Sequence, residues 1–125
     1  MSKPYRIVYV EDDPMSALLM KELFGEFSQY VLTCFDTAEG GLDYLGYNPA
    51  DLVILDINLP GMSGIEAVQW LRRNPATMHI PAIALSADAL PSQIQKGLDQ
   101  GFNKYLTKPL DLEELIDLLP QLLGQ

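Results

Sequence analysis

Residues 51–64 of this chain run Asp-Leu-Val-Ile-Leu-Asp-Ile-Asn-Leu-Pro-Gly-Met-Ser-Gly, and this stretch decides the fold class. The four apolar residues from Leu52 to Leu55 are typical of a strand that is covered on both faces. Asp56 follows them directly, so the strand delivers a carboxylate at its carboxyl end. Ser63-Gly-Ile-Glu66 is a capping box, which predicts that a helix begins there. The stretch therefore predicts a buried strand, a loop that carries polar groups, and a helix.

The rest of the chain repeats this alternation of short apolar runs and longer stretches of helical period. Strands are predicted at Tyr5–Val10, Tyr30–Phe35, Leu52–Leu55, Pro81–Leu85 and Lys104–Leu106. Helices are predicted after Asp13-Pro14, at Ala38–Leu45, after Ser63, at Pro91–Gln100 and after Asp111. On the first helix, the stripe expected to face the core is Met15, Leu18, Leu19, Leu23 and Phe27. Pro120 is expected to kink or end the last helix.

Five strands that alternate with five helices predict an α/β fold, with a parallel sheet and helices on both of its faces. The length of 125 residues fits one domain, residues 1–125, and no linker or internal repeat divides it. In such an open sheet, ligands bind beyond the carboxyl ends of the strands, where the strand order reverses. We therefore expect the functional residues to lie at that edge of the sheet.

Composition excludes several classes of function. The formal net charge of −9 and the eight scattered Lys and Arg residues argue against direct nucleic-acid binding. The longest apolar runs are too short for membrane insertion. The single cysteine, Cys34, cannot form an internal disulfide, so we expect a cytoplasmic protein.

Charged and hydroxyl side chains follow four of the five predicted strands. Glu11 and Asp12 follow the first strand, Asp56 the third, Ser86 the fourth and Lys108 the fifth. Carboxylates that crowd together stay ionised only around a cation, and oxygen ligands without His or Cys favour Mg²⁺. A lysine at the same edge suits an additional anion. A phosphoryl group could bind both Mg²⁺ and the lysine ammonium. We therefore expect Mg²⁺-dependent phosphoryl chemistry here.

These positions resemble the receiver domain of two-component response regulators, over residues from Arg6 to about Leu119. The matching features are the acidic pair Glu11-Asp12, the strand-end Asp56, Ser86 within Ala-Leu-Ser-Ala, and Lys108 before a proline. Asp56 lies 44 positions after Asp12, 30 before Ser86 and 52 before Lys108, separations similar to those of receivers. The resemblance implies a flavodoxin-like three-layer sandwich, doubly wound, with five helices and a five-stranded parallel sheet in the order 2-1-3-4-5.

The resemblance also implies a role for each site residue. Asp56 would be the nucleophile that accepts a phosphoryl group from a phosphohistidine. Asp12 and Asp56 would ligate Mg²⁺ directly, the main-chain carbonyl of Asn58 would be a third ligand, and Glu11 would act through water or by positioning the site. Lys108 would pair with a phosphoryl oxygen, and in this family the peptide bond before the following proline is often cis. Asp13 is instead expected to cap the first helix.

Signalling would depend on a hydroxyl and an aromatic ring. Ser86 would hydrogen-bond to the phosphoryl group, and Tyr105 would turn inward when that hydroxyl moves. The face built by the fourth helix, fifth strand and last helix would then change, and it is the expected surface for a homodimer. The other partners implied are a sensor histidine kinase or a histidine phosphotransfer domain. The protein would not be an enzyme beyond catalysing its own aspartyl phosphorylation and dephosphorylation.

Other functions remain open at this level. A haloacid-dehalogenase-type hydrolase would need a second aspartate at position 58, where this chain has Asn58. A flavodoxin-like flavin carrier would need a phosphate loop in place of the acidic cluster after the first strand. A phosphorylation-independent interaction module and a receiver module excised from a hybrid sensor kinase are the remaining alternatives.

Overall fold

A computed structural model describes residues 3–124, in which five strands and five helices alternate strictly. The elements are β1 (Tyr5–Val10), α1 (Pro14–Phe24), β2 (Tyr30–Phe35), α2 (Ala38–Leu45), β3 (Leu52–Asp56), α3 (Gly64–Arg73), β4 (Ala82–Ser86), α4 (Pro91–Gln100), β5 (Lys104–Thr107) and α5 (Leu112–Leu123). The predicted elements are therefore confirmed, with strand ends shifted by one residue. Within the described residues, no helix is long and apolar enough to cross a membrane.

All strand pairs are parallel, and the sheet order is β2-β1-β3-β4-β5. β1 lies between β2 and β3, with Ile7 opposite Leu32 on one side and Leu52 on the other. The strand order therefore reverses at the boundary between β1 and β3. The carboxyl ends of these two strands flank the crevice in which an open α/β sheet binds its ligands.

The core consists of two apolar layers, one on each face of the sheet. Alternate residues of β3 divide between them: Val53 and Leu55 pack with α2 and α3, whereas Leu52 and Ile54 pack with α1 and α5. Every residue of β3 is buried, including Asp56. The apolar run of this strand reflects burial on both faces, as a central parallel strand requires.

The predicted core-facing stripe of α1 was wrong for three of its five residues. Met15, Leu18 and Leu19 are 63%, 49% and 53% exposed, and the buried residues of the helix are Met20 and Phe24. Two apolar stripes lie side by side on α1, so helical period alone could not tell which one the sheet covers. Leu23 and Phe27 do pack against the core, Phe27 from the loop after the helix.

Both helix-terminus predictions for α1 and α3 are confirmed. Asp13 caps α1 through its side chain, which accepts from the N–H of Ser16, and the Ser63–Glu66 capping box is reciprocal. Pro120 does not end α5, which continues to Leu123. A proline removes only its own N–H from the helix, and the N–H of Gly124 still reaches the carbonyl of Pro120 to close the final turn.

Candidate functional site

Three carboxylates meet at the crevice between β1 and β3. Glu11 follows β1 and continues its pairing, since its N–H donates to the carbonyl of Phe35 at 3.0 Å. Glu11 and Asp56 are only 3% and 4% exposed, whereas Asp12 is exposed. One carboxylate oxygen from each of the three lies within 4.8 Å of the others. The backbone of two neighbouring strands thus brings together acids that are 44 positions apart in the chain.

Lys108 joins the two buried carboxylates. Its Nζ lies 3.0 Å from Glu11 Oε1 and 2.8 Å from Asp56 Oδ2. The main chain positions the lysine, because its N–H donates to the carbonyl of Ser86 and extends the pairing of β4 with β5. The Lys108–Pro109 peptide bond is cis, as the resemblance implied. Glu11, Asp12, Asp56 and Lys108, predicted from three separate stretches, therefore converge on one site.

The two buried acids differ in their affinity for protons. Burial, followed by a hydrogen bond to Asp56, raises the pKa of Glu11 to about 7. Burial acts on Asp56 in the same direction, but hydrogen bonds with Glu11, Lys108 and the N–H of Asn58 outweigh it and lower the pKa of Asp56. For Lys108, hydrogen bonds to the two acids outweigh burial and raise the pKa. Asp56 therefore has the lower pKa of the pair, and its ionised form is the one that a nucleophile needs.

The loop after β3 holds the Asp56 side chain in place. The N–H of Asn58 donates to Asp56 Oδ1 at 2.9 Å. The loop then folds back on itself, since the N–H of Gly64 donates to the carbonyl of Ile57 at 3.0 Å. A Cβ on Gly64 would lie 2.8 Å from the Cα of Ile57, so only glycine allows this approach. The role of the Asn58 carbonyl as a metal ligand stays a prediction.

Ser86 and Tyr105 are linked through the main chain of Asp88. Ser86 is 2% exposed, and its Oγ accepts from the N–H of Asp88 at 3.1 Å. The Tyr105 hydroxyl donates to the carbonyl of the same Asp88 at 2.8 Å. A cavity of about 150 Å³ lies between these groups, and Ile57, Ser86, Asp88 and Tyr105 line it. The predicted hydroxyl and aromatic positions thus share one loop residue.

The ring of Tyr105 rests against α4 at a glycine. A Cβ on Gly97 would lie 3.0 Å from Cδ2 of the ring. The ring is half-buried and packs against the apolar layer that includes α2 and α3.

Sequence reasoning missed one residue of the site, Tyr9. This tyrosine is 2% exposed, and its hydroxyl donates to Glu11 Oε1 at 3.2 Å. The signal was present in the sequence, because residues 9 and 11 are two positions apart and so share one face of β1 and its extension. A buried phenol needs a partner for its hydroxyl, and Glu11 is that partner.

The donor set fits a hard divalent cation. Three carboxylates face one ammonium, so the cluster carries excess negative charge even when Glu11 holds a proton. Carboxylate oxygens, with no histidine or cysteine among them, are ligands that Mg²⁺ accepts. The only histidine, His79, is exposed and precedes β4.

Comparisons with known proteins agree with this architecture. Residues 7–120 match the family described as the response regulator receiver domain. The chain is 30% identical over 121 residues to the polar-differentiation response regulator DivK of Brucella anthropi, and the match covers 97% of this chain and 98% of DivK. It is 33% identical over 113 residues to the signal transduction histidine-protein kinase BarA of Escherichia coli K12, covering 90% of this chain. The match spans only 12% of BarA.

A solved structure shows a similar fold around a metal. The receiver domain of the sensor histidine kinase PA1611 from Pseudomonas aeruginosa PAO1 superposes with a TM-score of 0.88 at 26% identity, covering 98% of this chain and 99% of that one. Its active-site cleft coordinates a magnesium ion.

Proposed function

This chain belongs to the response regulator receiver domain family, and we propose that Asp56 accepts a phosphoryl group from a phosphohistidine of a partner protein. The observation that carries the proposal is the arrangement of Asp56 itself. One of its carboxylate oxygens is bound by the Lys108 ammonium and the other by the N–H of Asn58, and both contacts favour the ionised form. The protein would be one receiver domain over residues 1–125, acting in the cytoplasm without binding nucleic acid directly.

The transfer needs one nucleophile and one group that receives the charge of the phosphoryl oxygens. A carboxylate oxygen of Asp56 forms a bond to phosphorus while the bond from phosphorus to the histidine nitrogen breaks. The imidazole leaves with the electron pair of that bond, and Asp56 becomes an acyl phosphate. Lys108, already 2.8 Å from Asp56 Oδ2, pairs with a phosphoryl oxygen. Hydrolysis of the acyl phosphate restores Asp56, so the only reactions catalysed are on the protein's own aspartate.

Glu11, Asp12, Asp56 and the carbonyl of Asn58 would hold Mg²⁺ at this site. When bound, Mg²⁺ supplies positive charge that stabilises the oxygens of the transferring phosphoryl group. Asp12 is the exposed member, so it offers a carboxylate to the solvent side of the crevice. Oε1 of Glu11 accepts hydrogen bonds from both Tyr9 and Lys108, which supports a positioning role for this residue.

We propose that the signal passes through the loop residue Asp88. A phosphoryl group on Asp56 would draw the Ser86 hydroxyl away from the N–H of Asp88, the contact that now measures 3.1 Å. The Tyr105 hydroxyl donates to the carbonyl of Asp88, so a change in this loop alters the hydrogen bond that positions the ring. Glu114 and Asp117 of α5 line a surface cleft with Tyr105, and Leu98 of α4, the helix whose Gly97 contacts the ring, is 36% exposed. Their face is the proposed surface of a homodimer.

The partner that supplies the phosphoryl group would dock over α1. Met15, Leu18 and Leu19 form an exposed apolar patch immediately after the acidic loop. Leu19 also lines a pocket of about 280 Å³ that reaches Glu11 and Lys108. A protein that brings a phosphohistidine to Asp56 must cover this region. We propose that a sensor histidine kinase or a histidine phosphotransfer domain is the occupant.

A substitution in the apolar patch of α1 tests partner docking separately from the chemistry of phosphoryl transfer. Leu18→Glu should slow transfer from a phosphorylated kinase or phosphotransfer domain, found by screening a panel of such proteins. Labelling by acetyl phosphate, which needs no docking, should be unchanged. If Leu18→Glu accepts the phosphoryl group as fast as the wild type does, α1 is excluded as the docking surface. Val31→Glu, an exposed apolar residue of β2, is the matched control.

The match to BarA supports one further alternative, in which this domain is a module of a hybrid sensor kinase. The site chemistry is the same in that arrangement. A phosphorylation-independent interaction module is the competing function, and labelling decides between them.

The test of the proposed function is Mg²⁺-dependent phosphorylation by acetyl phosphate. The wild type should gain one phosphoryl group, detected as a mass increase of the intact protein, and should gain none in EDTA. Asp56→Asn should remain folded and unlabelled. Asp36→Asn, which changes an exposed acid after β2, is the matched control and should label like the wild type. Failure of the wild type to label would favour the phosphorylation-independent module.

A further inference from the structure

Glu11 receives two hydrogen bonds on the same oxygen. The Lys108 ammonium donates to Oε1 at 3.0 Å, and the Tyr9 hydroxyl donates to the same atom at 3.2 Å. The other oxygen, Oε2, accepts a long hydrogen bond of 3.4 Å from the N–H of Asp13. Lys108 and Tyr9 are therefore the donors on which this buried carboxylate depends.

The two donors differ in freedom to move. Lys108 is a flexible side chain, 31% exposed, and it is already shared with Asp56. Tyr9 is 2% exposed, and its ring packs in the apolar layer with Met20, Leu85 and Leu115. Although Tyr9 also lines the pocket that reaches Lys108, its buried ring packs on these side chains, which keep the hydroxyl in place.

From this geometry we infer that Tyr9 is a positioning residue that retains Glu11 while Lys108 transfers to the phosphoryl group. The inference rests on the proposed function, in which Lys108 pairs with a phosphoryl oxygen on Asp56. That movement removes one of the two donors from Glu11 Oε1. A buried carboxylate oxygen left with no donor is costly, and the hydroxyl of Tyr9 prevents this. Tyr9 thereby stabilises the phosphorylated state more than the unphosphorylated state.

The inference predicts an effect that depends on the phosphoryl group. Tyr9→Phe removes the hydroxyl and keeps the ring in the core. Without a phosphoryl group, Lys108 still donates a hydrogen bond to Glu11, so the Mg²⁺ affinity of the variant should change less than twofold. With beryllofluoride as the stand-in for the phosphoryl group, Lys108 is drawn away and Glu11 Oε1 is left without a donor. Beryllofluoride affinity at saturating Mg²⁺ should fall about tenfold, as expected for one unpaired buried acceptor.

The experiment titrates Mg²⁺ alone, and then beryllofluoride at saturating Mg²⁺, and follows amide NMR shifts in three proteins. They are the wild type, Tyr9→Phe and the control Tyr44→Phe. The ring of Tyr44 packs on Phe35 with centroids 5.1 Å apart, on the opposite face of the sheet. Both affinities of the control should stay within twofold of the wild type. Urea unfolding of the same proteins records any general loss of stability, which would not change the ratio of the two affinities.

Each outcome has a separate meaning. A selective fall in beryllofluoride affinity for Tyr9→Phe supports the inference. Equal loss of Mg²⁺ and beryllofluoride affinity, or no loss of either, overturns it and leaves the proposed function intact. Absence of beryllofluoride binding by the wild type would overturn the proposed function and this inference with it.

Discussion

Replacing Lys108 with methionine should destabilise the metal-free protein, because it removes the one ammonium shared by two buried carboxylates. Methionine retains most of the apolar stem, so the change is confined to the charge. Glu11 and Asp56 have side chains only 1% and 5% exposed, and without Lys108 they face each other with no other cation of residues 3–124 within ion-pair distance. The fold then bears the repulsion of two carboxylates, or the cost of protonating one.

The solvent exposure of Lys108, Glu11 and Asp56 determines how much stability the substitution should cost. Removing one partner of a fully buried ion pair costs about 3–5 kcal/mol, whereas an exposed pair contributes about 0–1 kcal/mol. Lys108 lies between these limits, since its side chain is 31% exposed while its partners are buried. We expect the free energy of unfolding to fall by about 2 kcal/mol at pH 8. The loss should shrink at pH 6, where Glu11, whose pKa is already raised to about 7, takes up a proton.

Urea denaturation in EDTA, at pH 6 and at pH 8, measures this effect. Lys104→Met is the matched control, because Lys104 is an exposed lysine of β5, and its substitution should change stability by less than about 0.5 kcal/mol. Saturating Mg²⁺ should stabilise Lys108→Met more than the wild type, since the metal no longer competes with the ammonium. Equal stability of Lys108→Met and the wild type at pH 8 would refute the reasoning that Lys108 neutralises the acid pair.

Three further predictions concern individual site residues. Because the pKa of Glu11 is raised from 4.5 to about 7, the folded protein holds a proton between these pH values that the unfolded chain has released. The free energy of unfolding in EDTA should therefore decline as pH rises through that window. Glu11→Gln should lack this decline in urea titrations from pH 5 to 8. Asp12→Ala should abolish Mg²⁺ binding in an NMR titration yet alter stability by less than about 0.5 kcal/mol, because Asp12 is exposed; unchanged Mg²⁺ affinity would remove it from the ligand set. Ser86→Ala should keep its label on Asp56 but lose most of the amide shifts that beryllofluoride induces around Tyr105; shifts that persist would exclude the hydroxyl as the coupling group.

The alternation of elements could be predicted from the sequence because each signal is local. The short apolar run before Asp56 favours a central strand, and the Ser63–Glu66 capping box marks a helix start without tertiary context. The site followed from topology, because parallel strands deliver their carboxyl ends to the same edge. The strand order itself depended on family resemblance, since nothing local determines which strands are neighbours.

The errors arose where several local patterns were equally good. On α1, two apolar stripes satisfied the helical period, and only packing against the sheet buried Met20 and Phe24 rather than Leu18 and Leu19. The hydrogen bond of Tyr9 was missed because an aromatic residue in a strand is usually explained by the core alone. The burial of one stripe of α1 depends on long-range packing, which residue periodicity does not encode, whereas the Tyr9–Glu11 contact joins residues only two positions apart.

The central claim is that Asp56 carries the phosphoryl group, and identifying the modified residue tests it most directly. The protein is labelled with acetyl phosphate and Mg²⁺, then treated with borohydride, which reduces an aspartyl phosphate to homoserine. Peptide mass spectrometry then locates the altered residue. The site described here, with Asp56 bound by Lys108 and the N–H of Asn58, predicts homoserine at position 56 and at no other aspartate. Homoserine at Asp12, or a phosphoryl group retained on a hydroxyl side chain, would contradict the account.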